Sequence, residues 1–273
     1  VTDTTRIAPP SGAVEIDVRE LWAYRELLFF FVWRDLKLRY QQTVIGVTWV
    51  ILQPVLSTFA FSLLFGRLAG LPSDQLPYTI FYFAGLLPWT YFSQSATRAT
   101  NTLVDHQRVI TKVYFPRILL PIAAVLAGLV DFAIGFVVLA LLLPLYGIVP
   151  TAALWALPVF VALTFASALA VGFWLSALNA LYRDVRYAVQ FLLTFWMFLS
   201  PVAYPSSLVP ERWRWLYGLN PMAGAIDGMR WAFGAQHPPT PALFIASTVA
   251  VIALLAGGIA YFQRVETIVA DVV

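Results

Sequence analysis

Residues 44–66 run for 23 positions without a charged side chain, and residues 242–262 for another 21. A helix rises 1.5 Å per residue, so about 20 such positions match the hydrocarbon thickness of a bilayer. Within lipid every backbone donor and acceptor must be satisfied by the segment itself or by its neighbours, which leaves helices or a closed barrel. The same reading places further helical spans at 78–96, 118–143, about 152–181 and, shorter, about 188–203. Composition agrees. Hydrophobic residues make up 60% of the chain and charged residues 11%, against about 45–50% and about 25% in soluble domains. The expected fold is an all-α integral membrane protein with six transmembrane helices, an N-terminal amphipathic interface helix and a re-entrant helical hairpin before the last span.

The domain reading follows the charges. Residues 1–20 are polar and contain Pro9-Pro10, unlike the apolar core of a leader; they form a polar N-terminal segment expected in the cytoplasm. Residues 21–43 hold an uncharged run at 27–33 that is too short to cross, preceded by Arg25 and followed by Arg34, Lys37 and Arg39. This pattern fits a helix lying in the cytoplasmic interface with its cations at the headgroups; a charged extension of the first span competes with it. Residues 44–273 then form one six-helix transmembrane domain, with Pro54 and Pro88 inside the first two spans. In the 204–241 region the most apolar part, 221–235, is 15 residues long and includes Asp227 and Arg230, which suits a hairpin that enters and leaves on one side. With six spans, 13 of the 17 Lys and Arg residues fall on the side of the termini and 4 on the other. The positive-inside rule then makes both termini cytoplasmic.

Several chemistries are excluded or disfavoured. There is no cysteine, and only His106 and His237 offer imidazole, so no multi-histidine or thiolate metal site is expected. The two lysines, Lys37 and Lys112, follow Leu36 and Thr111 rather than glycine, so a Walker-type phosphate loop cannot form. No catalytic motif is found, and the chain is not expected to be an enzyme or to hold a cofactor. A net charge of +3 is too small to indicate nucleic acid as a partner.

What remains is positional. Asp131 lies in mid-span, where an ionisable group is a functional candidate by default. It shares a face with Ala124, Ala127, Gly128 and Gly135, which equally supports plain helix packing. On the fifth span Gln190, Thr194 and Met197 form a mildly polar stripe flanked by Phe191 and Phe195, a candidate channel lining, although aromatics in a bilayer also mark packing and interfaces. Trp213, Trp215 and Tyr217, with Asp227 and Arg230, are candidates for an exit on the outer face. Gly66/Gly70 and Gly224/Gly228 fit a small-residue packing motif only weakly, because they lie at or outside span ends.

The order of features resembles the membrane subunits of ABC-2-type polysaccharide and polyol-phosphate exporters, which serve O-antigen, capsule and teichoic acid. The segments that carry the likeness are FVWRDLKLRYQQTVIGVTWVILQP, YFAGLLPW, VDHQRVITKVYFPRILLP, YRDVRY, SPVAYPSSLVPERWRWLYGLNPM and QRVETIVADVV. The resemblance implies a homodimer enclosing a channel for a lipid-linked polysaccharide in the bacterial inner membrane, with two copies of a separate cytoplasmic ATPase that binds Mg-ATP. It places an ATPase-coupling helix at Val104, Asp105, His106, Gln107 and Arg108, with Pro116 and Pro121 setting the return into the third span. O-antigen is the expected cargo, with teichoic acid or capsular polysaccharide as the alternative. An ion-coupled flippase is a weaker competitor, since that mechanism needs ionisable groups in several spans and Asp131 is the one clear mid-span charge in the sequence.

Overall fold

The computed structural model describes residues 18–41, 46–149, 151–182 and 184–272. The polar segment before residue 18, the junction at 42–45 and Arg183 lie outside the described residues. Eleven α-helices are described: α1 (Val18–Ala23), α2 (Arg25–Tyr40), α3 (Gly46–Phe61), α4 (Tyr78–Asp105), α5 (Gln107–Ile110), α6 (Leu119–Leu145), α7 (Leu157–Leu181), α8 (Val185–Leu199), α9 (Glu211–Tyr217), α10 (Ala223–Ala232) and α11 (Pro241–Val272). No strand occurs among the described residues.

Four helical stretches are long and apolar enough to cross a membrane: Thr48–Leu68, Leu119–Leu145, Ala152–Leu181 and Pro241–Glu266. The other two expected spans are also helical but differ in kind. Helix α8 has 15 residues, about 22 Å of rise. Helix α4 is long enough at 28 residues, yet it is built from aromatic, hydroxyl and amide side chains rather than aliphatic ones. It tolerates this because it is the central element. Ile80, Tyr82, Phe83 and Phe92 are all essentially inaccessible, packed with residues of α6, α7 and α10 in the main core.

The span expected to end at residue 96 is corrected by the structure, for α4 continues without a break to Asp105. Helix packing explains the extension. Thr97 and Thr100 return their hydroxyls to the carbonyls of Ser93 and Ala96 at 2.8 and 2.7 Å, so polar side chains are satisfied within the helix. Asn179 on α7 donates to the Thr100 carbonyl at 2.9 Å. Ala99, Thr102 and Leu103 are buried on the same helix.

A second apolar cluster closes the end of the bundle beyond α4. Phe31 of α2 packs there with Leu103, Phe115, Ile118, Phe173 and Phe262. Phe31 is 2% exposed while its neighbours Phe29 and Phe30 are 68% and 57% exposed. Helix α2 therefore has one inward face and one open apolar face. The 204–241 region contains two short helices, α9 and α10. On α10, Ala223 to Ile226 and Gly228 to Arg230 are buried.

Candidate functional site

A cavity of about 490 Å³ opens between α3, α4 and α6. Asp131 is in its wall. Arg39 Nη1 donates to Asp131 Oδ2, and the Tyr40 hydroxyl donates to Oδ1. Arg98 Nη1 stands 3.8 Å from Oδ2. Burial and the bond to Asp131 push the Tyr40 hydroxyl up to about 12, so Tyr40 remains a donor throughout the physiological range. Asp131 is thus not a solitary intramembrane charge. Its small-residue face is used as well: a Cβ on Gly135 would lie 2.1 Å from Leu87 Cδ1, and one on Gly128 would lie 2.6 Å from both Arg98 Nη2 and Ser95 Oγ. With any other residue at those positions, side chains of α4 would have to shift.

The cavity is tied through α2 to the coupling segment. Of the five coupling candidates, Val104 and Asp105 end α4, His106 occupies the break, and Gln107 and Arg108 begin α5. Val104, Asp105, Gln107 and Arg108 are exposed, and His106 is half-buried beneath them. His106 Nδ1 lies 2.8 Å from the Thr102 carbonyl, which can only accept, so this nitrogen carries the proton. Nε2 is then an acceptor, and Arg34 Nη2 of α2 contacts it. The Phe31 ring meets His106 edge-on at 6.1 Å and Phe115 at 5.5 Å. The exposed patch therefore rests on α2.

The structure divides the other candidates. Gln190, Phe191, Thr194 and Phe195 lie together on the exposed side of α8, whereas Met197 packs against the main core. Met197 lies four residues beyond Leu193 and so falls on the packed side with Val189 and Leu193, the buried residues of α8. Asp227 and Arg230 border a second cleft of about 680 Å³, shared with Asp74, Ser207, Arg214 and His237. Both side chains are internally engaged, Asp227 by Ser206 and Arg230 by the carbonyls of Phe81 and Val202. Trp213 and Trp215 are about half exposed on α9, and Tyr217 pairs its hydroxyl with that of Tyr204 at 3.0 Å; none of the three borders the cleft. No cluster of three or more candidate metal ligands occurs among the described residues.

The profile of the ABC-2 type transporter family matches residues 26–233. The chain belongs to the ABC-2 type transporter family. Within this family it is similar to the O-antigen export system permease protein RfbA of Myxococcus xanthus, with 33% identity over 252 residues, covering 91% of this chain and 96% of the relative. It is also similar to the protein of the same description from Klebsiella pneumoniae, at 28% identity over 210 residues, or 76% of this chain and 80% of the relative. As an ABC-2 type transporter it is a multi-pass membrane protein, in keeping with its apolar helices.

Sequence reasoning about this ABC-2 chain missed Arg39, Tyr40 and Arg98 as partners of Asp131. The available signal was indirect. Arg98 falls within a run of alternating small and hydroxyl residues that could have been read as helix. Nothing in one sequence, however, states which helices are neighbours.

Proposed function

We propose that this chain is the membrane subunit of an ATP-driven exporter that moves a lipid-linked polysaccharide of the O-antigen type across the inner membrane. The observation that carries the reading is end-to-end similarity to the O-antigen export permease of Myxococcus xanthus, over 91% of one chain and 96% of the other. Two copies of the chain enclose the channel, and two copies of a separate ATPase bind Mg-ATP and supply the energy. Six helices cross the membrane: α3, α4, α6, α7, α8 and α11, with α4 shielded by the other spans. Helix α2 lies at the cytoplasmic interface, α9 and α10 form the re-entrant hairpin on the outer side, and both termini are cytoplasmic. The exposed quartet Val104, Asp105, Gln107 and Arg108 contacts the ATPase, and Gln190, Phe191, Thr194 and Phe195 face the channel.

Support for the coupling role comes from position: the quartet is solvent-facing, while His106 between its members is fixed to α2. The test is co-purification with the cognate ATPase and measurement of ATP hydrolysis and O-antigen export. The wild-type pair is expected to form a stable complex. Asp105→Arg and Arg108→Glu are expected to release the ATPase or to lower export by about tenfold or more, the size of one lost charge-assisted contact of 1.5–3 kcal/mol. If no ATPase associates and neither reversal affects export, the exporter reading fails.

A further inference from the structure

The cavity beside Asp131 has a charge imbalance that its own walls do not correct. Among the described residues Arg39, Arg98 and Asp131 are the ionised groups that line it. Both Asp131 oxygens are engaged, one by Arg39 and one by Tyr40, and Arg98 is an outer cation at 3.8 Å. Its other contacts are long and to neutral oxygens, Nη2 to Ser95 Oγ at 3.3 Å and Nη1 to Gln94 Oε1 at 3.5 Å. Arg98 Nε is buried with no hydrogen-bond partner among the described residues. A shielded guanidinium with unused donors is costly until an anion fills them. Gly128 gives Arg98 room to lie against α6, since a Cβ there would lie 2.6 Å from Arg98 Nη2.

The walls fit more than a simple ion. A volume of about 490 Å³ lies within the range of small-molecule sites, roughly 300–1,000 Å³. Gln53 and Thr90 add neutral donors and acceptors, and Trp49 and Pro54 add apolar surface. One wall is α3, along which Trp49, Leu52 and Leu56 are 54%, 38% and 52% exposed. The cavity is therefore bordered by side chains suited to a hydrocarbon surrounding. The planar fork of arginine matches phosphate oxygens in pairs, which an ammonium cannot do.

We infer that this cavity binds the phosphate-bearing headgroup of a lipid, with Arg98 taking the phosphate oxygens and Gln94, Thr90 and Gln53 contacting the adjoining polar groups. Two sources share that chemistry. One is the phosphodiester lipid of the bilayer; the other is the phosphate- or diphosphate-linked lipid that carries a glycan, and this second source alone rests on the export reading.

The test uses the full chain in phosphatidylcholine nanodiscs, titrated with polyprenyl diphosphate or with phosphatidylglycerol and followed by native mass spectrometry. Wild type is expected to retain ligand, Arg98→Gln to bind at least about tenfold more weakly, and Arg98→Lys to fall between them. Weakening in the diphosphate arm alone assigns the site to the glycan carrier. Weakening in the phosphatidylglycerol arm, alone or with the other, assigns it to phosphate headgroups of the bilayer. Equal binding by wild type and Arg98→Gln in both arms overturns the inference and leaves the export reading intact, since that reading stands on ATPase assembly and export. Photoreactive polyprenyl diphosphate and photoreactive phosphatidylglycerol on the wild-type chain give a second measurement that needs no variant. Label from either probe within 94–98 or 128–131 supports the site, and label from both confined elsewhere overturns it.

Discussion

Arg230 is held on four sides. Its Nε donates to the Phe81 carbonyl at 3.2 Å and its Nη2 to the Val202 carbonyl at 2.7 Å. Its charge lies 3.6 Å above the Phe81 ring and 3.5 Å from Asp227. Gly85 makes the space, since a Cβ there would sit 2.6 Å from Arg230 Nη2. Burial, with a smaller push from Asp74, raises the Asp227 carboxyl above its ordinary range, and Arg230, Ser206 and Arg214 act against that shift. Removing one member of such a pair strands the other, at about 3–5 kcal/mol. Arg230→Met is therefore expected to lower the thermal unfolding midpoint in detergent markedly, with Asp227→Asn milder because it keeps a polar group toward Ser206. An unchanged midpoint in Arg230→Met would show that the pin contributes nothing to stability. The spacing of Asp227 and Arg230, three apart on a helix, was legible as a pair in the sequence. The carbonyls that fix Arg230 were not, because they belong to segments 149 and 28 positions away.

At the scale of elements, the short helix α10 is fitted between α7 and α11 by two glycines. Gly224 N donates to Ser247 Oγ on α11 at 3.0 Å, and a Cβ on Gly228 would lie 2.0 Å from Phe160 Cε1 on α7. Gly228→Ala is expected to cost about 1–3 kcal/mol by overpacking. Trimming the neighbour in Gly228→Ala/Phe160→Leu should recover part of this, read as a non-additive term in a double-mutant cycle of unfolding midpoints. Strict additivity would place the strain elsewhere. The Gly224/Gly228 spacing had counted as a weak signal because it lies outside the apolar runs. It works all the same, since close helix approach depends on the absence of a side chain rather than on depth in a membrane. Hydropathy located the apolar helices well for the corresponding reason: transfer to lipid is a property of one segment. The reach of α4 to Asp105 depends on α7 and escaped that kind of reading.

For the whole molecule, orientation is the property most open to direct measurement, and the absence of native cysteine makes it convenient. Tyr114 is 83% exposed beyond α5, and the Glu211 side chain is 90% exposed at the start of α9. In the proposed topology Tyr114→Cys reacts with an impermeant maleimide only in inverted vesicles and Glu211→Cys only in intact spheroplasts. Labelling of both from one side would remove the six-span arrangement. The number of apolar runs and the distribution of arginines made a polytopic bundle legible from sequence alone. The gathering of Arg39, Arg98 and Asp131 was not, for it exists only once α2, α4 and α6 are assembled.

Helix α2 is fastened at two points, by Phe31 and Arg34 to the His106 and Phe115 region and by Arg39 and Tyr40 to Asp131. It is one unbroken helix of 16 residues, about 24 Å long. A loop so fastened would behave as a slack tether and dissipate any displacement of one end. A helix behaves as a strut that bears compression as well as tension. The exposed patch around His106 and the carboxylate in the wall of the cavity are therefore joined through one stiff element.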